Sequence, residues 1–363
     1  MEMISEKEDY DDPMEEQEND DNEDDYYVHQ NILIDPKQSP LRIDKFLIDR
    51  LENVSRNRVQ NAIRSGAILV DNQEVKPNFK VKPGQKISII FPKPMVHGVG
   101  IVPQNIQLNI VYEDNDLLVL NKPAGLVVHP GVGHHRGTLV NALAYHFKSL
   151  PVMEGNHDDK LGLVHRIDKN TSGLMVVAKS EYAMTHLAKQ FFHHTIDRTY
   201  IALVWGEPKE KRGTIDAHIG RHPRYRKQFA AFPDGEQGKW AVTHYQVLES
   251  LYYVSVVQCN LETGRTHQIR VHMKYLGHPI FNDDKYGGDH ILKGTIYSKY
   301  KQFVENTFNI MPRHALHAKS LGFEHPTTGE RMYFESELPR DFQNCLDRWR
   351  GYLESRKEGL DAD

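Results

Sequence analysis

One polar loop in this 363-residue chain carries residue types that could do acid–base or covalent chemistry. The segment GLVHRIDKNTSGLMVVAKS, at 162–180, runs from apolar residues into a polar loop, and Gly173 then returns the chain to an apolar strand. The loop places the carboxylate of Asp168 close in sequence to the guanidinium of Arg166. A carboxylate on a loop between two strands can act as a nucleophile or as a base. An aspartate in a loop more often forms a surface salt bridge, so this segment does not decide the function alone.

The loop does not match a protein kinase. The kinase catalytic loop reads H-R-D-L-x-x-x-N, whereas Ile167 stands between Arg166 and Asp168 in this chain. No Gly-rich phosphate loop and no D-F-G triplet accompany it.

Two further segments contain residues that could complete a pocket. NKPAGLVVHPG is predicted to be a strand end followed by a Pro-Gly turn. LETGRTHQIRVHMKYLGHP is predicted to be a strand, a Gly turn and a helix that Thr266 caps and Gly277 ends. On that helix His267 and Lys274 would share a face with Arg270 and extend a basic surface around it.

The elements that must hold these segments lie at 105–345. Strand-like runs are IVYEDNDLLVLNK, SGLMVVAKS, RTYIALVWG, AVTHYQVLES and YYVSVVQCNL. Helical patterns are TLVNALAYHF, EYAMTHLAKQFF and THQIRVHMKYLG. Because few helices separate the strands, the pattern favours an α+β domain with a mixed, mainly antiparallel sheet over a doubly wound one.

A smaller basic segment at 41–92 precedes this domain. Its pattern is an amphipathic helix, a second helix that begins after Ser55 and ends at Gly66, and then short strands. The segment contains ten Lys or Arg against five Asp or Glu. Five cations fall on or beside the two helices and could contact a phosphate backbone: Arg42, Lys45, Arg56, Arg58 and Arg64.

The remaining segments are predicted to be tails and a linker. Residues 1–27 contain 14 acidic residues and one Lys, which is too acidic and too poor in apolar residues to fold alone. Without them the chain has 44 Lys or Arg against 36 Asp or Glu, a net charge of +8 that suits a polyanionic partner. The Pro- and Gly-containing stretch 93–104 is predicted to be a linker, and 346–363 a C-terminal tail.

Several classes of protein are disfavoured. The two cysteines, Cys259 and Cys345, lie far apart, so neither a disulfide framework nor a zinc module is expected. The 21 histidines show no ligand spacing, and we expect no metal. We find neither a secretory signal nor an apolar run long enough to cross a membrane. A cytoplasmic monomer is the expectation.

The motifs resemble two known families. LRIDKFL followed by SRNRVQNAIRSGAILVDNQEVKPNFKVKPGQ resembles the S4 RNA-binding domain, which carries RNA on its helix pair. NKPAGL, HRIDKNTSGL, the tyrosine of RTYIALVWG and GRTHQIRVH together resemble the RluA family of pseudouridine synthases. The resemblance covers roughly residues 41–345. It departs from the family at Ile167, at Asn170 and at Phe281-Asn282-Asp283, where a small residue and a Gly-Asp pair are usual.

The resemblance implies roles for individual residues. It places the family's catalytic carboxylate at Asp168, a stacking tyrosine at Tyr200 and the basic partner of the carboxylate at Arg270. It implies substrate contacts for four further residues, of which the arginine would fill the stack that the target nucleotide leaves: Arg166, Ile269, His165 and Lys122. By themselves, Tyr200 and Ile269 would be interpreted as core residues and Arg270 as a surface charge.

The resemblance also implies a reaction and a partner. The enzyme would isomerise a flipped-out uridine to pseudouridine without a cofactor, most naturally in 23S ribosomal RNA of the large subunit. Asp168 could attack C1′ or C6, or remove a proton from C2′. The alternatives are the same activity on transfer RNA, an inactive S4-type assembly factor, and a hydrolase or metal enzyme built on the histidines.

Overall fold

The computed structural model describes residues 27–51, 54–92, 101–131, 134–148, 162–295 and 297–361. The acidic tail predicted at 1–27, apart from Tyr27, and the linker residues 93–100 lie outside the described residues.

The N-terminal domain contains two helices and a small sheet. Its elements are β1 Tyr27–Leu33, β2 Leu41–Arg42, α1 Ile43–Ile48, α2 Arg56–Arg64, β3 Ile68–Val70, β4 Gln73–Glu74, β5 Lys80–Val81 and β6 Lys86–Pro92. Four strands form a sheet in the order β1-β6-β3-β4. The Ser55 hydroxyl accepts a hydrogen bond from the Arg58 N–H at 3.3 Å, as the predicted N-cap of α2 requires. Phe46, Leu47 and Ile63 bury the apolar faces of the helices.

The larger domain is built on one extended sheet. Its strands are β7 Ile110–Glu113, β8 Leu117–Lys122, β9 Gly162–Leu163, β10 Ser172–Ala178, β11 Asp197–Trp205, β12 Arg212–Asp216, β13 His218–Arg221, β14 Phe229–Phe232, β15 Val242–Ser250, β16 Val254–Leu261, β17 Leu316–Glu324 and β18 Arg331–Glu335. Its helices are α3 Leu139–Lys148, α4 Glu181–Phe192, α5 Gln268–Tyr275, α6 Ser298–Ile310 and α7 Arg340–Asp361.

The sheet confirms the predicted mixed, mainly antiparallel α+β fold. Its main path runs β12-β15-β16-β11-β17-β10-β8-β7, with β9 paired to β10 and β18 to β17. Within the described residues, β10 and β17 form its one parallel pair. They approach so closely at Gly173, which has a φ of +121°, that a Cβ there would lie 2.2 Å from the carbonyl oxygen of Ala318. Glycine at this position therefore lets the strand that follows the polar loop enter the centre of the sheet.

Helix α4 joins the two domains. It packs against α2 and β6 of the N-terminal domain, and the Lys189 ammonium lies 3.2 Å from the Glu74 carboxylate. Phe192 packs against the N-terminal core, whereas its neighbour Phe191 packs into the larger domain. None of the helices in the described ranges combines the length and apolar character needed to cross a membrane.

The prediction of a C-terminal tail from residue 346 is wrong for the described residues, which end at Asp361. Helix α7 continues to Asp361, and Leu346 and Trp349 are buried. The Trp349 ring lies 4.9 Å from the ring of Phe303 on α6 and 5.8 Å from that of Phe281. The prediction relied on the polar ending SRKEGLDAD and overlooked the apolar stripe with helical spacing that precedes it.

Because α7 fills the core, Trp349→Ala should destabilise the larger domain. Truncating a fully buried tryptophan costs about 3–5 kcal/mol. We expect a clearly lower denaturation midpoint, measured by circular dichroism during urea unfolding. Asn344→Ala, at an exposed position of the same helix, is the control and should unfold like the wild type. Equal midpoints for the two variants would contradict the packing of α7.

Candidate active site

The loop with Asp168, the start of β11 and the N-terminal end of α5 surround a cleft. The cleft encloses about 950 Å³, including its mouth. Six of the seven residues to which the resemblance assigns catalytic or substrate roles line it: His165, Arg166, Asp168, Tyr200, Ile269 and Arg270. Segments more than 100 positions apart in the chain therefore meet at one place.

Asp168 and Arg270 form an ion pair at the bottom of this cleft. Nη1 of Arg270 donates to Oδ2 of Asp168 at 3.1 Å. The same guanidinium donates two bonds to the buried carboxylate of Asp283, from Nε at 2.8 Å and from Nη2 at 2.9 Å. Asp168 keeps 22% of its side chain exposed, whereas Asp283 has none. One arginine is thus fixed by a buried carboxylate and presents its remaining edge to an accessible one.

The surroundings of Asp168 keep it ionised. Burial by itself would raise the pKa of Asp168, but nearby groups, with Arg270 as the permanent cation, hold it well below its usual range. His267 and His314 also lie close to Asp168. Burial lowers the pKa of His267 to about 3 and that of His314 well below its usual range, so both rings are neutral at pH 7. The guanidinium therefore supplies the positive charge.

The loop that carries Asp168 is anchored along its length. The Lys122 ammonium donates to the Lys169 carbonyl at 2.9 Å, and Nη1 of Arg313 donates to the Asn170 carbonyl at 2.9 Å. The next two side chains, Thr171 and Ser172, are hydrogen-bonded to His314 and His317, each at 2.9 Å. Arg313 and His314, just before β17, and His317, within it, were missed in the sequence because their spacing matches no recognisable motif.

Two of the predicted substrate contacts are placed differently. The Lys122 ammonium is buried outside the cleft lining and donates to three backbone carbonyls, those of Pro123, Leu126 and Lys169. It therefore holds two loops together, and the prediction that it contacts substrate is wrong. His165 does line the cleft, but its Nε2 accepts the Val176 N–H at 3.0 Å.

Tyr200 and Ile269 form apolar walls of the cleft. Both are largely buried, with 8% and 4% of their surface exposed, and both line it. A β-bulge in the pairing of β11 with β17 falls between Thr199 and Tyr200, and such irregularities redirect a side chain. Burial raises the pKa of Tyr200, so its hydroxyl stays protonated. Arg166 is exposed and lies on the lining of the cleft.

The start of α5 differs from the prediction. The N-cap is His267 rather than Thr266, and His267 adopts a left-handed conformation with φ +55°. Because its ring is neutral, His267 does not extend the basic surface around Arg270 that the helical spacing predicted. The exposed Lys274 lies 5.7 Å from the ring of Tyr286.

Asp283 is a further site residue that the motifs did not reveal. It follows Asn282, which has φ +57° and stands where the family usually has glycine. Asparagine tolerates this conformation better than most residues, so the departure leaves the turn intact. Oδ1 of Asp283 also accepts the N–H groups of Lys285 and Tyr286, at 3.1 and 3.0 Å. The Gly-Asp pattern was the signal that could have identified it.

Within the part of the chain that the structure describes, one group outside the cleft has ligand types for a metal: Asp114, Asp116 and His325, whose candidate atoms lie within 4.8 Å of one another. Nδ1 of His325 accepts the N–H groups of Thr327 and Thr328. The ring hydrogen is therefore on Nε2, which donates to Asp114 at 2.8 Å. These polar atoms are hydrogen-bonded within the protein, and the group is a structural contact between two turns.

The basic residues of the N-terminal domain are organised by a buried carboxylate. Asp44 is fully buried and accepts hydrogen bonds from Arg42, Arg56 and Gln60 at 2.9–3.2 Å. The hydrogen bonds from Arg42 keep the pKa of Asp44 well below its usual range against the effect of burial. Both arginines retain much of their surface, 40% and 54%.

The other three predicted cations of this domain are not equivalent. Lys45 and Arg64 are exposed. Arg58 is half-buried near Glu181 at the start of α4. Arg58 therefore lies near the contact between the N-terminal domain and the larger domain.

Comparison with known proteins identifies both domains. A family model described as RNA pseudouridylate synthase matches residues 116–275, and the S4 domain model matches residues 41–87. The larger match contains the loop of Asp168, Tyr200 and all of α5.

Relatives extend the match over most of the chain. A protein of Chlorobaculum parvum named as an uncharacterized RNA pseudouridine synthase is 44% identical over 86% of this chain and 95% of its own. The ribosomal large subunit pseudouridine synthase D of Zymomonas mobilis is 42% identical over 83% of this chain and 92% of its own. The solved structure of human RNA pseudouridylate synthase domain containing 4 has 28% identity and a TM-score of 0.50, covering 67% of this chain and 93% of that one. The chain belongs to the RluA family of RNA pseudouridine synthases and carries an N-terminal S4 domain.

Proposed function

We propose that the chain isomerises uridines of large-subunit ribosomal RNA, with Asp168 as the catalytic carboxylate. The observation that carries the catalytic assignment is the ion pair between Asp168 and Arg270, 3.1 Å long, at the bottom of the cleft. The ribosomal target is supported by relatives named ribosomal large subunit pseudouridine synthase D, which are 38–42% identical to this chain.

The reaction requires an ionised carboxylate in a partly dry site. The N1–C1′ bond must break, the uracil must turn, and C5 must then bond to C1′; C5 afterwards loses its hydrogen, and N1 gains one. Asp168 can form a bond to C1′ or C6, or take the proton from C2′, and each route begins from the carboxylate. Because the pKa of Asp168 is low, its side chain is the ionised carboxylate at neutral pH. The buried walls limit water, which would otherwise intercept C1′ and turn the isomerisation into hydrolysis.

Three residues suit a flipped-out base. Uracil can fit between Tyr200 and Ile269, and stacking on an aromatic ring returns about 1–3 kcal/mol per base. Flipping a base out of folded RNA costs a few kcal/mol. Arg166 is exposed at the cleft and next but one to Asp168, so its guanidinium can occupy the stack that the base leaves.

The S4 domain supplies the remaining affinity for RNA. Arg42 and Arg56 share the Asp44 carboxylate, which fixes the direction of both guanidinium groups. Lys45 and Arg64 add exposed charge on the same helix pair. This arrangement suits contacts with a phosphate backbone.

The target is tested by mapping pseudouridines in ribosomal and transfer RNA from cells that lack the gene. Carbodiimide modification followed by primer extension should show sites that return when the wild-type gene is restored. Asp168→Asn should restore none, because an amide can neither attack nor accept the proton, whereas the control Asp284→Asn, at an exposed position, should restore all. Product formed equally by Asp168→Asn would refute the catalytic assignment, and sites found only in transfer RNA would refute the ribosomal target.

Arg270 should set the pH dependence of the reaction. In the wild type, the low pKa of Asp168 keeps the carboxylate ionised, so the single-turnover rate should not fall on this account between pH 8 and pH 5. In Arg270→Gln, the guanidinium no longer offsets the effect of burial on Asp168, so the pKa of Asp168 should rise. The rate should then fall as the pH decreases over the same range.

Two variants serve as controls for this profile. Arg270→Lys keeps a cation and should keep a flatter profile than Arg270→Gln, and Lys274→Gln removes an exposed cation from the same helix and should match the wild type. Parallel profiles for Arg270→Gln and wild type would show that the guanidinium does not control the carboxylate.

Asp283 should matter for the rate although it lies behind the cleft. Asp283→Asn removes the charge that orients Arg270, and charge-assisted hydrogen bonds contribute about 1.5–3 kcal/mol. We expect a rate about 10- to 100-fold lower, with KM changed less than about threefold, and a lower melting temperature. The adjacent exposed variant Asp284→Asn is the control. An Asp283→Asn enzyme that melts earlier but reacts at the wild-type rate would limit Asp283 to a structural role.

A further inference from the structure

His267 is a cleft residue to which the chemistry described so far gives no role. It lines the cleft immediately before α5. Its Nε2 lies 4.0 Å from Oδ1 of Asp168. That separation is too long for a direct hydrogen bond, but an atom of a bound substrate near the carboxylate is within reach of the ring.

The hydrogen bonds of Tyr286 determine which nitrogen of His267 carries the hydrogen. The Tyr286 hydroxyl oxygen accepts the Phe229 N–H at 3.2 Å and lies 2.7 Å from Nδ1 of His267. A phenol has one hydrogen, and here Nδ1 is the acceptor within reach. Nδ1 therefore accepts, and the hydrogen of the neutral imidazole is on Nε2, the nitrogen nearer Asp168.

The ring is held in this orientation and without charge. It makes edge-to-face contacts with Phe229 at 5.9 Å and with Tyr286 at 5.5 Å. Burial lowers its pKa to about 3; the negative charge of Asp168 opposes this shift, and Arg270, Lys285 and Arg166 reinforce it. The left-handed backbone of His267 is uncommon for a residue other than glycine. Such conformations persist where the surroundings enforce them, often at functional sites.

We infer that His267 is a further catalytic residue, whose Nε2–H donates a hydrogen bond to a carbonyl oxygen of the uracil while the N1–C1′ bond is broken. This inference rests on the proposed function of Asp168. The electron pair of the N1–C1′ bond stays on the uracil, where the negative charge spreads over the ring and its carbonyl oxygens. A donor aimed at such an oxygen stabilises the charge where it develops.

A neutral donor suits this step better than a charged one. An imidazolium could protonate the uracil anion, whereas a neutral imidazole N–H is a very weak acid and keeps its hydrogen. No proton is transferred between His267 and the uracil. The anion therefore remains reactive, and its C5 can form the new bond to C1′.

Two substitutions of His267 test the donor by single-turnover kinetics on an RNA that the wild type modifies. His267→Asn tolerates the left-handed backbone but does not reach the Nε2 position, and it should lower the rate about 100-fold while RNA affinity stays within about threefold. His267→Gln can place an amide N–H near that position and should recover at least tenfold of the loss. A wild-type rate for His267→Asn, or no recovery by His267→Gln, would overturn the inference.

The tautomer can be measured in the free protein. In protein labelled with ¹⁵N-histidine, long-range ¹H–¹⁵N spectra distinguish Nε2–H from Nδ1–H, and the His267 signals are those that His267→Gln removes. We expect Nε2–H in the wild type, a mixture of both forms in Tyr286→Phe and a rate for that variant at least threefold lower. Tyr112→Phe is the matched control, because it removes a hydroxyl that donates at 2.8 Å to Asp114 away from the cleft. Nδ1–H in the wild type would contradict the inference.

The proposed roles of Asp168 and His267 can fail separately. Activity of the Asp168→Asn enzyme would refute the proposed role of Asp168 as the catalytic carboxylate. The tautomer of His267 and the rates of its variants would still be measured independently. An inactive Asp168→Asn enzyme together with a fully active His267→Asn enzyme would remove only the role of His267.

Discussion

The structure of the cleft depends on one guanidinium shared between two carboxylates. Arg270 donates two hydrogen bonds to the buried Asp283 and one to the accessible Asp168. A buried ion pair is expensive to desolvate, and it is stable only when its geometry is good and its other polar atoms are satisfied. Asp283 meets this condition, because it also accepts two backbone N–H groups. The residual charge of the guanidinium is then directed at Asp168, whose carboxylate stays ionised despite burial.

Other residues of the site hold the Asp168 loop in position. Lys122 and Arg313 bind carbonyl groups of the Asp168 loop, and His314 and His317 hold its hydroxyl side chains. Burial lowers the pKa values of these two histidines, so they act as neutral hydrogen-bonding groups. Arg270 therefore controls the ionisation of Asp168 without competition from imidazolium groups. The many histidines of the sequence, which could have indicated a metal enzyme, include several that support this loop.

The sheet brings these residues together. β10 continues directly from the Asp168 loop and pairs in parallel with β17, which begins just after the segment that anchors the loop. β11 pairs on the other side of β17 and supplies Tyr200. Helix α5 closes the cleft from the other direction, and the turn at Asp283 holds Arg270 from behind. This strand order makes distant parts of the chain neighbours and so surrounds one carboxylate with residues from several segments.

The sequence by itself determined the fold class, the S4 helix pair and the elements that carry Asp168, Tyr200 and Arg270, because these depend on local apolar periodicity and on contiguous motifs. It also indicated Arg166 and Ile269 as residues of the cleft. The tertiary structure decided which partner each charged or polar side chain has. It turned Lys122 from a substrate contact into a loop anchor, made Asp283 the main partner of Arg270, and buried Trp349 of a predicted tail in the core. These outcomes depend on distances between residues far apart in the chain, and neither periodicity nor motif spacing contains that information.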